Sequence, residues 1–271
     1  MSRDLDERAL FERFSKKYQL VHSELLKKIE RSNCGCDYGS TSFTTLEQVK
    51  ILGGMLTLGP GKRLLEVGAG SGWPGLYLAQ ESGCDVTLTD LPIEGLRLAK
   101  QRAELDQLSG TSEMVVASGS ALPFPAGSFD AISHADVLCC LVEKLEVLKA
   151  CREVIKQNGR MVFTVILTTP GLADDDYLKA IESGPSFIAA EDSYPDLLKA
   201  AGWKLVEQID LSTEFLATLR VMRENELRHA DEVENLLGEE ETLRRLTRNN
   251  ESIYGLEHNL IMRELFHVVP A

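Results

Sequence analysis

The sequence predicts an α/β protein built on a parallel, doubly wound sheet, and three observations predict it. From Arg63 onward, short apolar runs alternate with amphipathic segments for about a hundred residues, as strands joined by crossover helices do. The first run, Arg63-Leu64-Leu65-Glu66-Val67, ends in the turn Gly68-Ala69-Gly70-Ser71-Gly72, where glycine lets the backbone bend tightly and approach a ligand closely. The second, Val86-Thr87-Leu88-Thr89, closes on Asp90, a carboxylate about 20 residues further on that can accept both hydroxyls of a ribose. Ligands of such sheets bind beyond the carboxyl ends of the strands, so both features belong to one site.

The elements follow in order. Leu10, Phe14, Val21, Leu25 and Ile29 recur at intervals compatible with 3.6 residues per turn, with charges between them, and predict an amphipathic helix. Residues 32–44 are rich in Gly, Ser, Asn and Thr and read as a loop. Thr45-Leu46-Glu47-Gln48 has the form of a capping box and opens a helix to about Leu58, ended by Gly59-Pro60-Gly61. Strands are expected near 63–67, 85–89, 113–117, 130–134 and 160–166, with helices near 74–82, 94–107 and 143–157. Beyond Pro170 come an acidic helix at 173–182, a short helix at 194–201 and a strand at 203–210. Residues 212 to about 251, dense in Glu, Arg and Leu, read as helices with solvated charged faces, and 265–269 as a strand that can close the sheet.

Composition bounds the function. With 271 residues, 44% of them hydrophobic and 26% charged, the chain suits one large domain, or one domain plus a cap. No apolar run approaches the roughly 20 residues of a membrane span, and the mixed-charge N-terminus lacks the layout of a secretory signal. A soluble, cytoplasmic protein without a membrane partner is expected. Cys34, Cys36, Cys84, Cys139, Cys140 and Cys151 show no paired CxxC spacing, which fits reduced thiols and predicts no metal centre. A formal net charge of −13 disfavours nucleic acid, whose binders gather Lys and Arg, but does not disfavour a cationic cofactor. The expected partner is a small-molecule substrate, bound by a monomer or homodimer.

The glycine turn alone leaves two nucleotides open, because Gly70-Ser71-Gly72-Trp73-Pro74-Gly75 also satisfies the GxGxxG of dinucleotide dehydrogenases. Glu66 weighs against a dinucleotide: a carboxylate at the strand end would repel a pyrophosphate, whereas it would support the cationic amino-acid tail of S-adenosylmethionine. Asp90 serves either nucleoside. Two rivals are therefore carried forward, a nicotinamide-dependent oxidoreductase and a non-catalytic subunit that keeps the fold and binds a partner protein.

In order and spacing, LLEVGAGSGWPGLYLA, DVTLTD, ALPFPAGSFDAI and REVIKQNGRMVF resemble the successive motifs of class I S-adenosylmethionine-dependent methyltransferases. The closest likeness is to the small-molecule branch that includes the ubiquinone-pathway and phosphoethanolamine methyltransferases, over roughly residues 45–210. The resemblance implies a Rossmann-like, doubly wound seven-stranded sheet whose last strand is antiparallel and enters between its neighbours. It also implies a helical cap, formed by an N-terminal segment (1–44) and by insertions at about 171–192 and 212–258 of a cofactor-binding domain (45–271).

Carried over residue by residue, the resemblance implies that Gly68, Ala69, Gly70 and Gly72 pass beside the cofactor, whose tail Glu66 would support directly or through water. Asp90 then holds the ribose, Leu91 packs on the adenine, and Gly119, Ser120 and Ala121 flank its edge. Trp73 shapes the methionine pocket. His134, beneath the sulfonium and facing the acceptor, is the first candidate for a general base, since an imidazole titrates near neutrality, and Asp136 is the second. Tyr38 is expected to contact donor or acceptor through its hydroxyl, with Tyr18 a candidate of the same kind. The products of such a reaction are the methylated acceptor and S-adenosylhomocysteine.

Overall fold

The computed structural model describes residues 7–20, 23–39 and 42–271, and its centre is one sheet of seven strands. These are β1 (Arg63–Val67), β2 (Asp85–Asp90), β3 (Ser112–Val116), β4 (Phe129–Ala135), β5 (Ile155–Thr168), β6 (Trp203–Asp210) and β7 (Ile261–Pro270). Their order across the sheet is β3-β2-β1-β4-β5-β7-β6, with β7 running antiparallel to both of its neighbours and the other pairs parallel. The Rossmann-like α/β fold with an antiparallel last strand is therefore the one the sequence predicts.

Neighbouring strand residues face opposite layers, so the sheet is apolar on both sides, as parallel sheets covered by helices are. Leu64, Val86, Leu88, Val162 and Leu265 pack towards α3 (Leu46–Leu56), α4 (Gly75–Ser82) and α5 (Ile93–Asp106). Leu65, Val67, Ile132, Phe163 and Phe266 pack on the other side towards α6 (Lys144–Val154) and α8 (Tyr194–Ala200). The capping box forms as read: the Gln48 N–H donates to Thr45 Oγ1 at 3.3 Å, and the Thr45 N–H to Gln48 Oε1 at 3.2 Å.

The N-terminal helix is two helices, α1 (Glu7–Gln19) and α2 (Glu24–Cys34). Ser23 just before α2 is extended, with φ −67° and ψ 121°, while Gly35 ends α2 in the left-handed conformation. Leu10 and Phe14 fall on the first helix, Leu25 and Ile29 on the second, and Val21 lies outside the described residues. A stripe of apolar positions keeps its period through a short break, so periodicity alone does not reveal the break.

The region after β6 resolves into α9 (Ser212–Arg228), α10 (Ala230–Leu237) and α11 (Glu239–Glu257). The chain turns between the last two at Gly238, whose φ of 85° suits glycine. Helix α2 packs on α9, α11 on α9 and on α7 (Asp174–Ser183), and α1 lies against α5. These helices stand over the carboxyl ends of β1 and β4. Their charged faces are not all solvated, since one face of α11 turns inward. No helix among the described residues is long and apolar enough to cross a membrane.

Candidate active site

The turn after β1 is built from backbone conformations that side chains oppose. Gly68, Gly70 and Gly72 have φ of 67°, 53° and 99°. A Cβ on Gly68 would lie 2.5 Å from Val137 Cγ2, and one on Gly70 would run into the Tyr18 hydroxyl. Two hydrogen bonds fasten the turn to the end of β2, and a third fixes the Asp90 carboxylate. The Ala69 N–H donates to the Thr89 carbonyl at 2.9 Å, and the Gly70 and Leu91 N–H groups donate to the two oxygens of Asp90 at 2.6 and 2.7 Å. Burial pushes the Asp90 carboxyl up to about 6, opposed by those two donors, which favour its charged form.

Below the turn, Glu66 is only 1% exposed and accepts a hydrogen bond from the Ser133 hydroxyl on β4. Burial pushes its carboxyl up to about 8, so it is largely neutral at pH 7. It braces the turn from behind, with Gly75 packed against it: a Cβ there would sit 3.1 Å from that of Glu66.

Above the turn lies a cavity of about 510 Å³, a size typical of small-molecule sites. Its floor is Gly68, Ala69, Gly70 and Ser71, with Trp73 beside them. Asp136, Cys139, Cys140 and Ile166 form the wall at the ends of β4 and β5. Helices α1 and α2 contribute Phe14, Tyr18, Leu26 and Ile29, while α9 contributes Leu219, Met222 and Glu226. Helix α11 adds Arg244, Arg245, Arg248 and Asn249. Two of the buried lining groups, the Ser71 hydroxyl and the Asn249 amide, have no hydrogen-bond partner. A buried polar group so placed is satisfied by what enters the cavity.

Residues 65–163 match the family described as methyltransferase domain. Over that stretch the chain is similar to S-adenosylmethionine-dependent methyltransferases. The 27-O-demethylrifamycin SV methyltransferase of Amycolatopsis mediterranei is 25% identical over 225 residues, which are 77% of this chain and 83% of that one. Phosphoethanolamine N-methyltransferase 3 of Arabidopsis thaliana is 26% identical over 182 residues, 67% of this chain but only 37% of that longer one. In three dimensions, the Haemonchus contortus phosphoethanolamine N-methyltransferase 2 solved with phosphomonomethylethanolamine and S-adenosylhomocysteine is similar with a TM-score of 0.80. The match spans 98% of this chain and 60% of that one at 15% identity, a likeness of fold.

Within this stretch, Gly68, Ala69, Gly70, Trp73 and Asp136 line the cavity together, and Asp90 is one hydrogen bond from its floor. Gly72 faces Leu76 and Ala99 instead. Leu91, 45% exposed, and Gly119, Ser120 and Ala121, partly exposed, lie outside the cavity.

Of the two candidate bases, only Asp136 reaches the cavity. His134 is 1% exposed, points away from the cavity and stacks on Phe163 at 4.5 Å between ring centres. Burial pushes its imidazole down to about 3, which keeps it neutral. Strand alternation explains the miss: His134 shares the face of Ile132, while Ser133 takes the face of Glu66. Asp136 does reach the cavity, in a left-handed conformation with φ 57°. Both of its carboxylate oxygens are held at 2.9 Å by Arg263 of β7, a bidentate pair.

Tyr38 is likewise displaced from its expected place. Its hydroxyl donates to Asp106 of α5 at 3.4 Å, Arg102 lies 4.2 Å over its ring, and it packs against Trp73 without lining the cavity. Tyr18 takes the position over the turn. Among the described residues no cluster of His, Cys, Asp or Glu could hold a metal, and all six cysteines are free.

Arg263 is the residue that sequence reasoning missed altogether. It is 0% exposed and donates also to Gln48 Oε1 at 2.9 Å, Thr44 Oγ1 at 2.9 Å and Thr164 Oγ1 at 3.2 Å. It thereby ties the cavity wall to the entrance of α3. Thr44 in turn accepts the Trp73 Nε1–H on its carbonyl at 2.9 Å. The one available signal was an arginine in the largely apolar last strand.

Proposed function

We propose that the chain transfers a methyl group from S-adenosylmethionine to a small molecule held in the 510 Å³ cavity. The observation that carries this reading is a backbone floor, clamped by Asp90, beneath a cavity roofed by helices. The groups present fit the donor. Asp90 has lone pairs left for ribose hydroxyls after binding two N–H groups, exposed Leu91 offers the adenine an apolar face, and Gly119, Ser120 and Ala121 flank it. The unpartnered Ser71 hydroxyl and Trp73 suit the amino-acid tail, with Glu66 acting through the turn it braces.

When bound, S-adenosylmethionine would supply an electrophilic methyl group, transferred in line to the acceptor as the bond to sulfur breaks and S-adenosylhomocysteine leaves. The protein's own part is to align the acceptor and exclude water, which is how a fixed geometry lowers such a barrier. His134 and Asp136 take no proton in this scheme, one lying outside the cavity and the other bound to Arg263. Residues 1–44 and the segments at about 171–192 and 212–258 act as the cap of a domain spanning 45–271. Free thiols support a cytoplasmic enzyme.

Isothermal titration tests the donor assignment. S-adenosylhomocysteine should bind one to one with a Kd of about 10 μM or tighter, and Asp90→Asn should weaken it by about tenfold or more. Silence with both S-adenosylmethionine and its product, alongside firm binding of NADH, would overturn the reading in favour of an oxidoreductase.

A further inference from the structure

In a chain of formal net charge −13, one wall of the cavity is cationic. Helix α11 points Glu241, Arg244, Arg245, Arg248 and Asn249 into it, spaced three and four residues apart on one face. Helix α1 adds Arg13 and Lys17, also one turn apart.

The acids of this region are already engaged. Glu241 holds Arg244 through contacts of 2.8 and 2.5 Å, and Glu226 of α9 holds Arg245 through contacts of 3.1 and 2.6 Å. Glu30 accepts the Gly39 N–H at 2.6 Å. Among the described residues no carboxylate pairs with Arg13 or Lys17. Burial first, then Arg245 and Arg13, push the Lys17 ammonium down to about 7, against a weaker pull from Glu226 and Glu241, so at neutral pH an anion beside it would restore its full charge. Next to Arg245 by one helical turn, Asn249 is 7% exposed, and neither its amide oxygen nor its nitrogen has a partner.

We propose that Arg13, Lys17 and Asn249, backed by the fixed guanidinium groups of Arg244 and Arg245, form a subsite for an oxyanion on the methyl acceptor. The acceptor is then an amphiphile. A carboxylate or phosphate sits between α1 and α11, and an apolar body lies along Phe14, Leu26, Ile29, Leu219 and Met222. Glu226 and Glu241 aim the arginine forks without neutralising the two α1 cations. The inference rests on reading the cavity as the acceptor site, and it adds the acceptor's charge.

Octyl phosphate, octanoate and octan-1-ol, titrated into the full chain with and without S-adenosylhomocysteine, test it. At least one of the anions should bind about tenfold more tightly than the alcohol, and the preferred one identifies the oxyanion. The double variant Arg13→Gln/Lys17→Gln should erase that preference while leaving the alcohol and S-adenosylhomocysteine affinities unchanged. Asn249→Leu, a second variant that spares the charges, should weaken the anion alone. Equal affinity for alcohol and anions in the natural chain, or a preference that survives the double variant, overturns the subsite. Anion selectivity without any S-adenosylhomocysteine binding would instead retain the subsite and remove the methyl-donor reading.

Discussion

The floor and the roof of the cavity are made in different ways. The floor comes from one short stretch, 68–73, held by Asp90 of the neighbouring strand, and each part answers a local demand: a positive φ at Gly68 and Gly70, a terminal carboxylate on β2 that catches the turn after β1. The roof is assembled from α1 and α2 at one end of the chain and α9 and α11 near the other, so Arg13 meets Arg244 only through tertiary packing. A nucleotide-binding turn is therefore a property of a segment. An acceptor pocket of this kind is a property of the whole fold, and the acceptor has to be read from the structure.

The largest expected effect comes from Arg263, which ties the wall between floor and roof to the entrance of α3. Removing one partner of a buried ion pair leaves the other charge uncompensated, so Arg263→Met should cost about 3–5 kcal/mol of stability in urea unfolding. Adding Asp136→Leu to it should restore most of that loss. If the single variant cost under about 1 kcal/mol, the cavity wall and the α3 entrance would be independent units.

The contrast explains what the sequence made legible. The strands and most helices of the α/β core showed through their periodicity, and the Thr45–Gln48 box through its spacing, because these signals are local. His134 was misread because a strand's alternation decides which way a side chain points, and a shift of one residue moves it to the opposite face. Arg244, Arg245 and Asn249 passed as a solvated face because an inward polar stripe has the same sequence pattern as an outward one. Ser71 was hidden among glycines, and nothing but the closed cavity marks its hydroxyl as unpartnered.

A smaller effect sharpens the same point at His134. Its imidazole belongs to neither region, and both ring nitrogens are buried without partners. Because burial lowers its folded pKa to about 3 from 6.5, its contribution to stability is complete above pH 6.5 and is lost as pH falls towards 3. His134→Phe should flatten that acid-side loss, seen in denaturant titrations at pH 5 and pH 7.5, and should change turnover by no more than about threefold. A collapse of turnover with unaltered pH dependence of stability would return His134 to the catalytic centre.

Hydrogen–deuterium exchange of the full chain with and without S-adenosylhomocysteine puts the central claim to the most direct test. The floor should respond first, with slower exchange across residues 67–73 and 89–92, and α1 should follow because Tyr18 rests on Gly70. Protection confined to other segments, with the turn after β1 exchanging at the same rate in both samples, would contradict the account.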